Sequence, residues 1–134
     1  MKIDPTYATF KQSKLLKEKG FVVKVDSVYF PLNEPDKSFP EFDQNDWDNL
    51  QYSELPIHFP YEHFTHVSAP EQWQVIEWLE LKHKKYIYAF RYNGIWQYKI
   101  DAEHGTDYFS TGKGYNSKQE AYSAAFDYVL SKMI

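Results

Sequence analysis

The chain has 134 residues, no cysteine and a net charge of −4, with 43% hydrophobic, 25% charged and 19% aromatic residues. That length suits one domain with a substantial core, and the missing cysteine excludes disulfides, thiolate nucleophiles and cysteine-ligated zinc. No export segment and no apolar run of bilayer-spanning length is read from the sequence, so the expected setting is the cytosol with no membrane partner.

The charge is unevenly spread. Residues 1–33 carry net +3, residues 34–69 carry net −7 with Lys37 as the one cation, and residues 70–134 are balanced. In chain order, Thr6 after Pro5 and the following Gly20 predict a first helix over Tyr7 to Lys19, lysine-rich on its surface. Phe21 to Val25 and Val28 to Phe30 are β-branched and aromatic and predict one or two short strands ending at Pro31. Five of the seven prolines then fall between residues 31 and 60, where regular periodicity stops. Phe39, Phe42, Trp47 and Tyr52 in this acidic stretch argue against full disorder.

Ser68 and Glu71 have capping-box spacing ahead of Trp73, Val75, Ile76, Trp78, Leu79 and Leu81, which predicts a second helix from about Pro70 to His83. Tyr86 to Tyr92 and Ile95 to Asp101 flank Asn93-Gly94, a strong hairpin signal. A three-residue loop with Gly94 in a bulge would line Phe90 with Trp96, Tyr88 with Tyr98 and Tyr86 with Ile100 on one buried face. That register leaves Arg91, Gln97 and Lys99 on the wet face, and it is the one expected. A third strand is expected around Tyr108 to Thr111. Ser117 and Glu120 open a last helix with a stripe of Tyr122, Ala125, Phe126, Val129, Leu130 and Met133. The expected fold is α+β: a single domain over residues 1–134, with a helix and short strands in 1–33, an acidic proline- and aromatic-rich loop region in 34–69, and an α-β-β-β-α core in 70–134 whose antiparallel sheet, of three strands or more, packs on helices.

The stretch Gly112-Lys113-Gly114-Tyr115-Asn116-Ser117-Lys118-Gln119-Glu120-Ala121-Tyr122-Ser123-Ala124-Ala125 resembles the end of a double-stranded-RNA-binding domain. In that family a lysine cluster at the helix start grips phosphates. Lys118 matches the cluster, Gln119 and Tyr122 replace its other lysines, and the hairpin loop is short for the family's minor-groove contact. The whole chain is also similar to small proteins carried by phages and prophages of Bacteroides-like gut bacteria. The segments that carry this are Gln12-Ser13-Lys14-Leu15-Leu16-Lys17-Glu18-Lys19-Gly20-Phe21, the proline-rich aromatic middle, Gln74-Val75-Ile76-Glu77-Trp78-Leu79 and Ser117-Lys118-Gln119-Glu120-Ala121. The resemblance implies a cytosolic accessory protein and carries over no functional residues.

Catalytic signatures are sparse. No Gly-x-Ser-x-Gly elbow, phosphate loop or His-Glu-x-x-His helix is present. Asp46 and Asp48 could act as an acid/base pair, but solvated loop charge explains them as well. His58, Glu62, His63 and His66 cluster, yet Pro60 and Pro70 disfavour the long helix that would aim them at a metal, so no metal and no cofactor is assigned. Gly112-Lys113-Gly114 reads either as an anion cradle or as an ordinary turn into the last helix.

The leading expectation is a non-enzymatic accessory protein that binds a protein partner through an acidic aromatic surface made of Glu41, Asp43, Asp46, Trp47 and Asp48. The alternative is a nucleic-acid or anion-binding module using Arg91, Lys99, Lys113 and Lys118. The sequence assigns no oligomeric state.

Overall fold

A computed structural model of the chain describes residues 3–29, 35–36, 41–48, 67–102, 108–109 and 114–134. The fold is α+β. It divides into two compact units, Tyr7–Glu71 on the one hand and Met1–Thr6 with Gln72–Ile134 on the other.

In the first unit, helix α1 (Phe10–Glu18) begins one turn later than Thr6 would place it. Thr9 is the cap, because Thr9-x-x-Gln12 forms a reciprocal capping box: the Thr9 hydroxyl accepts the Gln12 N–H at 3.1 Å and the Gln12 side chain accepts the Thr9 N–H at 3.0 Å. The helix ends where expected. Gly20 is left-handed (φ 88°), its N–H reaches the Lys17 carbonyl, and the Phe21 N–H reaches the Leu16 carbonyl, which completes a Schellman motif. Buried Gln12, Ser13 and Leu16 form the inner stripe.

Phe21 to Lys24 do not form the expected strand; within Phe21 to Val25 only Val25 pairs, exchanging backbone bonds with Phe42. Strand β1 (Val28–Tyr29) lies between β2 (Pro35–Asp36) and β3 (Val67–Ser68), antiparallel to both. Phe30, the end of the second expected strand, lies outside the described residues. Helix α2 (Gln44–Asp48) buries Trp47, whose ring meets Phe42 edge-on at 4.9 Å. Tyr29 packs with Val67 and Ala69, with Phe10 edge-on to its ring at 5.4 Å.

In the second unit, helix α3 (Gln72–His83) starts after the expected Ser68–Glu71 box. Ser68 is committed to β3 instead, its N–H donating to the Gln44 side chain at 3.0 Å, and the Gln72 N–H is satisfied by the Thr6 carbonyl at 2.8 Å. Val75, Trp78 and Leu79 are buried, whereas Trp73 and Leu81 are exposed. At about 100° per residue those two fall on the side opposite the buried stripe. Lys84 closes the helix in the left-handed region (φ 55°).

Strands β4 (Lys85–Tyr92) and β5 (Ile95–Ala102) follow as a hairpin, and β6 (Tyr108–Phe109) adds two residue pairs along β5. The remainder of the strand expected at Tyr108 to Thr111 lies outside the described residues. Helix α4 (Lys118–Tyr128) is capped by Ser117, whose hydroxyl accepts the Glu120 N–H, while the Glu120 carboxylate accepts the Asn116 N–H. Ala121, Ala125, Phe126, Val129 and Leu130 are buried, with the last turn, Val129–Met133, widened to a π-helix. Helix α3 packs on β4, and α4 on β4 and β5.

The hairpin register differs from the one expected. Asn93 (φ 50°) and Gly94 (φ 78°) are both left-handed, the requirement of a two-residue type I′ turn. Tyr92 therefore pairs with Ile95, Phe90 with Gln97, Ala89 with Tyr98, Tyr88 with Lys99 and Ile87 with Ile100. Tyr88 and Phe90 stand on the face opposite Trp96 and Tyr98, not beside them.

Gly114 is needed for close approach rather than for an unusual backbone. A methyl group placed on it would sit 2.0 Å from Ile95 Cγ2, beside the bridge in which Tyr115 and Trp96 exchange hydrogen bonds. Gly114→Ala is expected to lower stability by about 1–3 kcal/mol in urea unfolding. Made in an Ile95→Ala background the same substitution should cost far less, and equal costs in both backgrounds would contradict the contact.

Candidate functional site

Strand β5 alternates cleanly. Trp96, Tyr98 and Ile100 point to one face, and Ile95, Gln97, Lys99 and Asp101 to the other. Directly opposed residues of an antiparallel pair share a face, so Ile87, Ala89 and Arg91 join the first set, while Tyr86, Tyr88, Phe90 and Tyr92 join the second. Burial identifies the sides. Ile87, Tyr98 and Ile100 are buried, whereas Tyr88 is 50% exposed, Tyr92 63% and Ile95 45%.

The outer face thus carries a row of four rings from β4 at intervals of about 7 Å, edged by Ile95, Gln97, Lys99 and Asp101 of β5. Lys99 Nζ lies 3.0 Å from Asp101 Oδ1, so the two charges of β5 on this face compensate each other. The surface is aromatic, locally neutral and bordered by hydroxyl, amide and carboxylate groups. Tyr88 and Tyr92 are exposed and Tyr86 and Phe90 half-buried; accessible rings beside polar groups are the composition of protein contact surfaces.

Among the described residues the members of the expected basic set do not come together. Arg91 pairs with Trp96 and stands on the helix-bearing face, opposite Lys99. Lys118 Nζ lies over the Tyr122 ring at 5.9 Å, and Glu120 places a carboxylate at the start of α4, where a bound phosphate would need the free N–H groups. Lys113 and Gly112 lie outside the described residues.

The expected acidic surface is largely used in folding. Asp43 caps α2, accepting the Asp46 N–H at 2.8 Å, and Asp46 returns the interaction by accepting the Asp43 N–H at 3.0 Å. Asp48 accepts from the Gln44 side chain at 3.0 Å and lies 3.6 Å from Lys17 Nζ. Trp47, expected at the surface, is 1% exposed and belongs to the core. Glu41 is exposed. Asp46 and Asp48 therefore each have a local structural partner, and no convergent acid/base pair is built from them. His58, Glu62, His63 and His66 lie outside the described residues, and among those described no group of three metal-ligating side chains converges. No helix among the described residues is long and apolar enough to cross a membrane.

One polar cluster had no sequence signal. The Tyr29 hydroxyl donates to the Ala8 carbonyl across twenty-one positions, and nearby Asp26 Oδ1 accepts from Ser27 at 2.9 Å and from Tyr7 at 3.4 Å. Burial, with a smaller contribution from Tyr7, pushes the Tyr29 phenol from its ordinary 10.0 up to about 12.

Comparison with protein-family models, with curated proteins and with solved structures gives no match for this chain.

The native state holds the Tyr29 proton more tightly than the unfolded chain does, so its stabilising effect is complete below pH 10 and is lost between pH 10 and about 12. The slope there reaches at most about 1.4 kcal/mol per pH unit. Tyr29→Phe removes the ionisable group. In urea unfolding, the stability advantage of the parent chain over this variant should hold from pH 7 to near pH 10 and shrink above it; an advantage that grows with alkali would contradict the assignment.

Proposed function

We propose that the chain is a non-enzymatic accessory protein that binds a protein partner through the outer face of the hairpin. The observation that carries this reading is the two-residue turn, which puts Tyr86, Tyr88, Phe90 and Tyr92 on the side of the sheet away from α3 and α4. Tyrosine suits such a surface. It offers a large rigid contact area at low cost in rotamer entropy and keeps a hydroxyl in water when no partner is present. The face has almost no net charge, which favours a protein over a polyanion, since phosphate binding draws its affinity from neutralising cations. The nucleic-acid alternative relied on Arg91 and Lys99 sharing the wet face, and they occupy opposite faces. The resemblance to phage- and prophage-borne proteins supports a partner in the bacterial cytosol.

The test is photo-crosslinking in bacterial cytosol with benzoyl-phenylalanine introduced at Tyr88, at Tyr92 and, as a control, at exposed Leu81 of α3. The expected result is one common adduct to a foreign protein from positions 88 and 92 that is missing from position 81. Adduct patterns alike at all three positions, or adducts confined to the chain itself, would contradict the reading.

A further inference from the structure

Among the described residues the eight-residue strand β4 is hydrogen-bonded on one side only, to β5, and so stands at the edge of the sheet that they form. The phase of the hairpin tells which of its peptide groups face the open side. In a two-residue hairpin the residues flanking the turn form a hydrogen-bonded pair, and pairs alternate from there. Tyr92, Phe90, Tyr88 and Tyr86 are therefore bonded to β5, and Arg91, Ala89, Ile87 and Lys85 turn their N–H and C=O outward. The other side of the hairpin confirms the phase: Trp96, the partner of Arg91, turns its own N–H and C=O away from β4 to Tyr115.

An open edge is normally guarded by a lysine, a proline or a bulge. From Tyr86 to Phe90 there is none; Lys85 and Arg91 flank an uninterrupted Tyr-Ile-Tyr-Ala-Phe. The order of side chains is also symmetric about Ala89, with rings at positions 86 and 88 before it and at 90 and 92 after it. Such a strand is complementary to itself when turned through a two-fold axis.

We propose that two copies of this chain pair antiparallel along β4, with the two-fold axis at Ala89, so that their sheets join edge to edge. Ala89 exchanges both backbone hydrogen bonds with its counterpart. On the outer face Tyr88 meets Phe90 of the partner subunit and Tyr86 meets Tyr92 of the partner subunit, so all four rings of each copy acquire a cross-strand aromatic neighbour. The alternative axis at Tyr88 would set Lys85 against Arg91 of the partner subunit, a like-charge pair, and leave Tyr92 without a ring opposite. Strand pairing alone buries less than the about 1,200–2,000 Å² of a stable interface. The pairing is therefore a concentration-dependent association held by the backbone ladder and its cross-strand ring pairs. The inference goes beyond the partner-binding reading, because it rests on the edge of β4 and not on what its face contacts.

Sedimentation of the full chain tests it. The parent chain is expected to show a concentration-dependent rise to twice its 16.0 kDa mass. Tyr88→Lys combined with Phe90→Lys sets lysines opposite one another across the axis and should weaken association at least about tenfold. Tyr88→Lys combined with Phe90→Glu sets opposite charges across the same axis and should restore the dimer, which separates pairing in this register from a general loss of rings. Circular dichroism verifies that each variant is folded. A parent chain that stays monomeric at every concentration, or a dimer indifferent to both charge patterns, would overturn the proposal.

Discussion

The left-handed backbone at Asn93 and Gly94 decides on which side of the sheet every residue from Lys85 to Ala102 stands. A type I′ turn matches the right-handed twist of the strands it joins, and adding or removing one loop residue would reverse the faces of one strand against the other. With the turn as it is, Ile87 and the small Ala89 lie on the helix side with Trp96, Tyr98 and Ile100. The larger rings of β4 are placed outside. Further along, the close approach of Gly114 to Ile95 and the Trp96–Tyr115 bridge hold the chain against β5 just before α4 begins.

In the unit Tyr7–Glu71, charge is used locally. Asp43 and Asp46 satisfy the first N–H groups of α2, where a carboxylate also meets the positive end of the helix dipole. Asp48 is tied to Gln44 and Lys17. Gln44 joins the short helix to β3 through the Ser68 N–H, and Trp47 fills the interior beside Phe42. A sequence that reads as an acidic surface is, over residues 41–48, a capped turn of helix anchoring a buried indole. Removing that indole would cost about 3–5 kcal/mol, the usual effect of emptying a tryptophan site.

The α+β class, the Schellman end of α1 at Gly20, the Ser117 start of α4 and the hairpin itself were legible because each depends on residues adjacent in sequence. The errors arose where two local signals competed or where distant chain decided. Thr6 and Thr9 are both caps by type, and the glutamine three residues on selects Thr9. Ser68-x-x-Glu71 has the spacing of a capping box, but pairing with Val28 commits Ser68 to a strand. For the hairpin, the expectation that rings gather in the core prevailed over the turn chemistry of Asn-Gly, and the turn chemistry was the better guide. The outer face was readable from that dipeptide and the alternation of β5 alone. The Tyr29–Ala8 contact, by contrast, joins residues that nothing in the sequence brings together.

Cross-strand Hα–Hα nuclear Overhauser effects test the central claim most directly, because Hα atoms approach closely only in the non-hydrogen-bonded pairs of an antiparallel ladder. The two-residue turn predicts these effects between Arg91 and Trp96, Ala89 and Tyr98, and Ile87 and Ile100. Effects linking Phe90 with Trp96 or Tyr88 with Tyr98 instead would return the rings of β4 to the helix side and contradict the account.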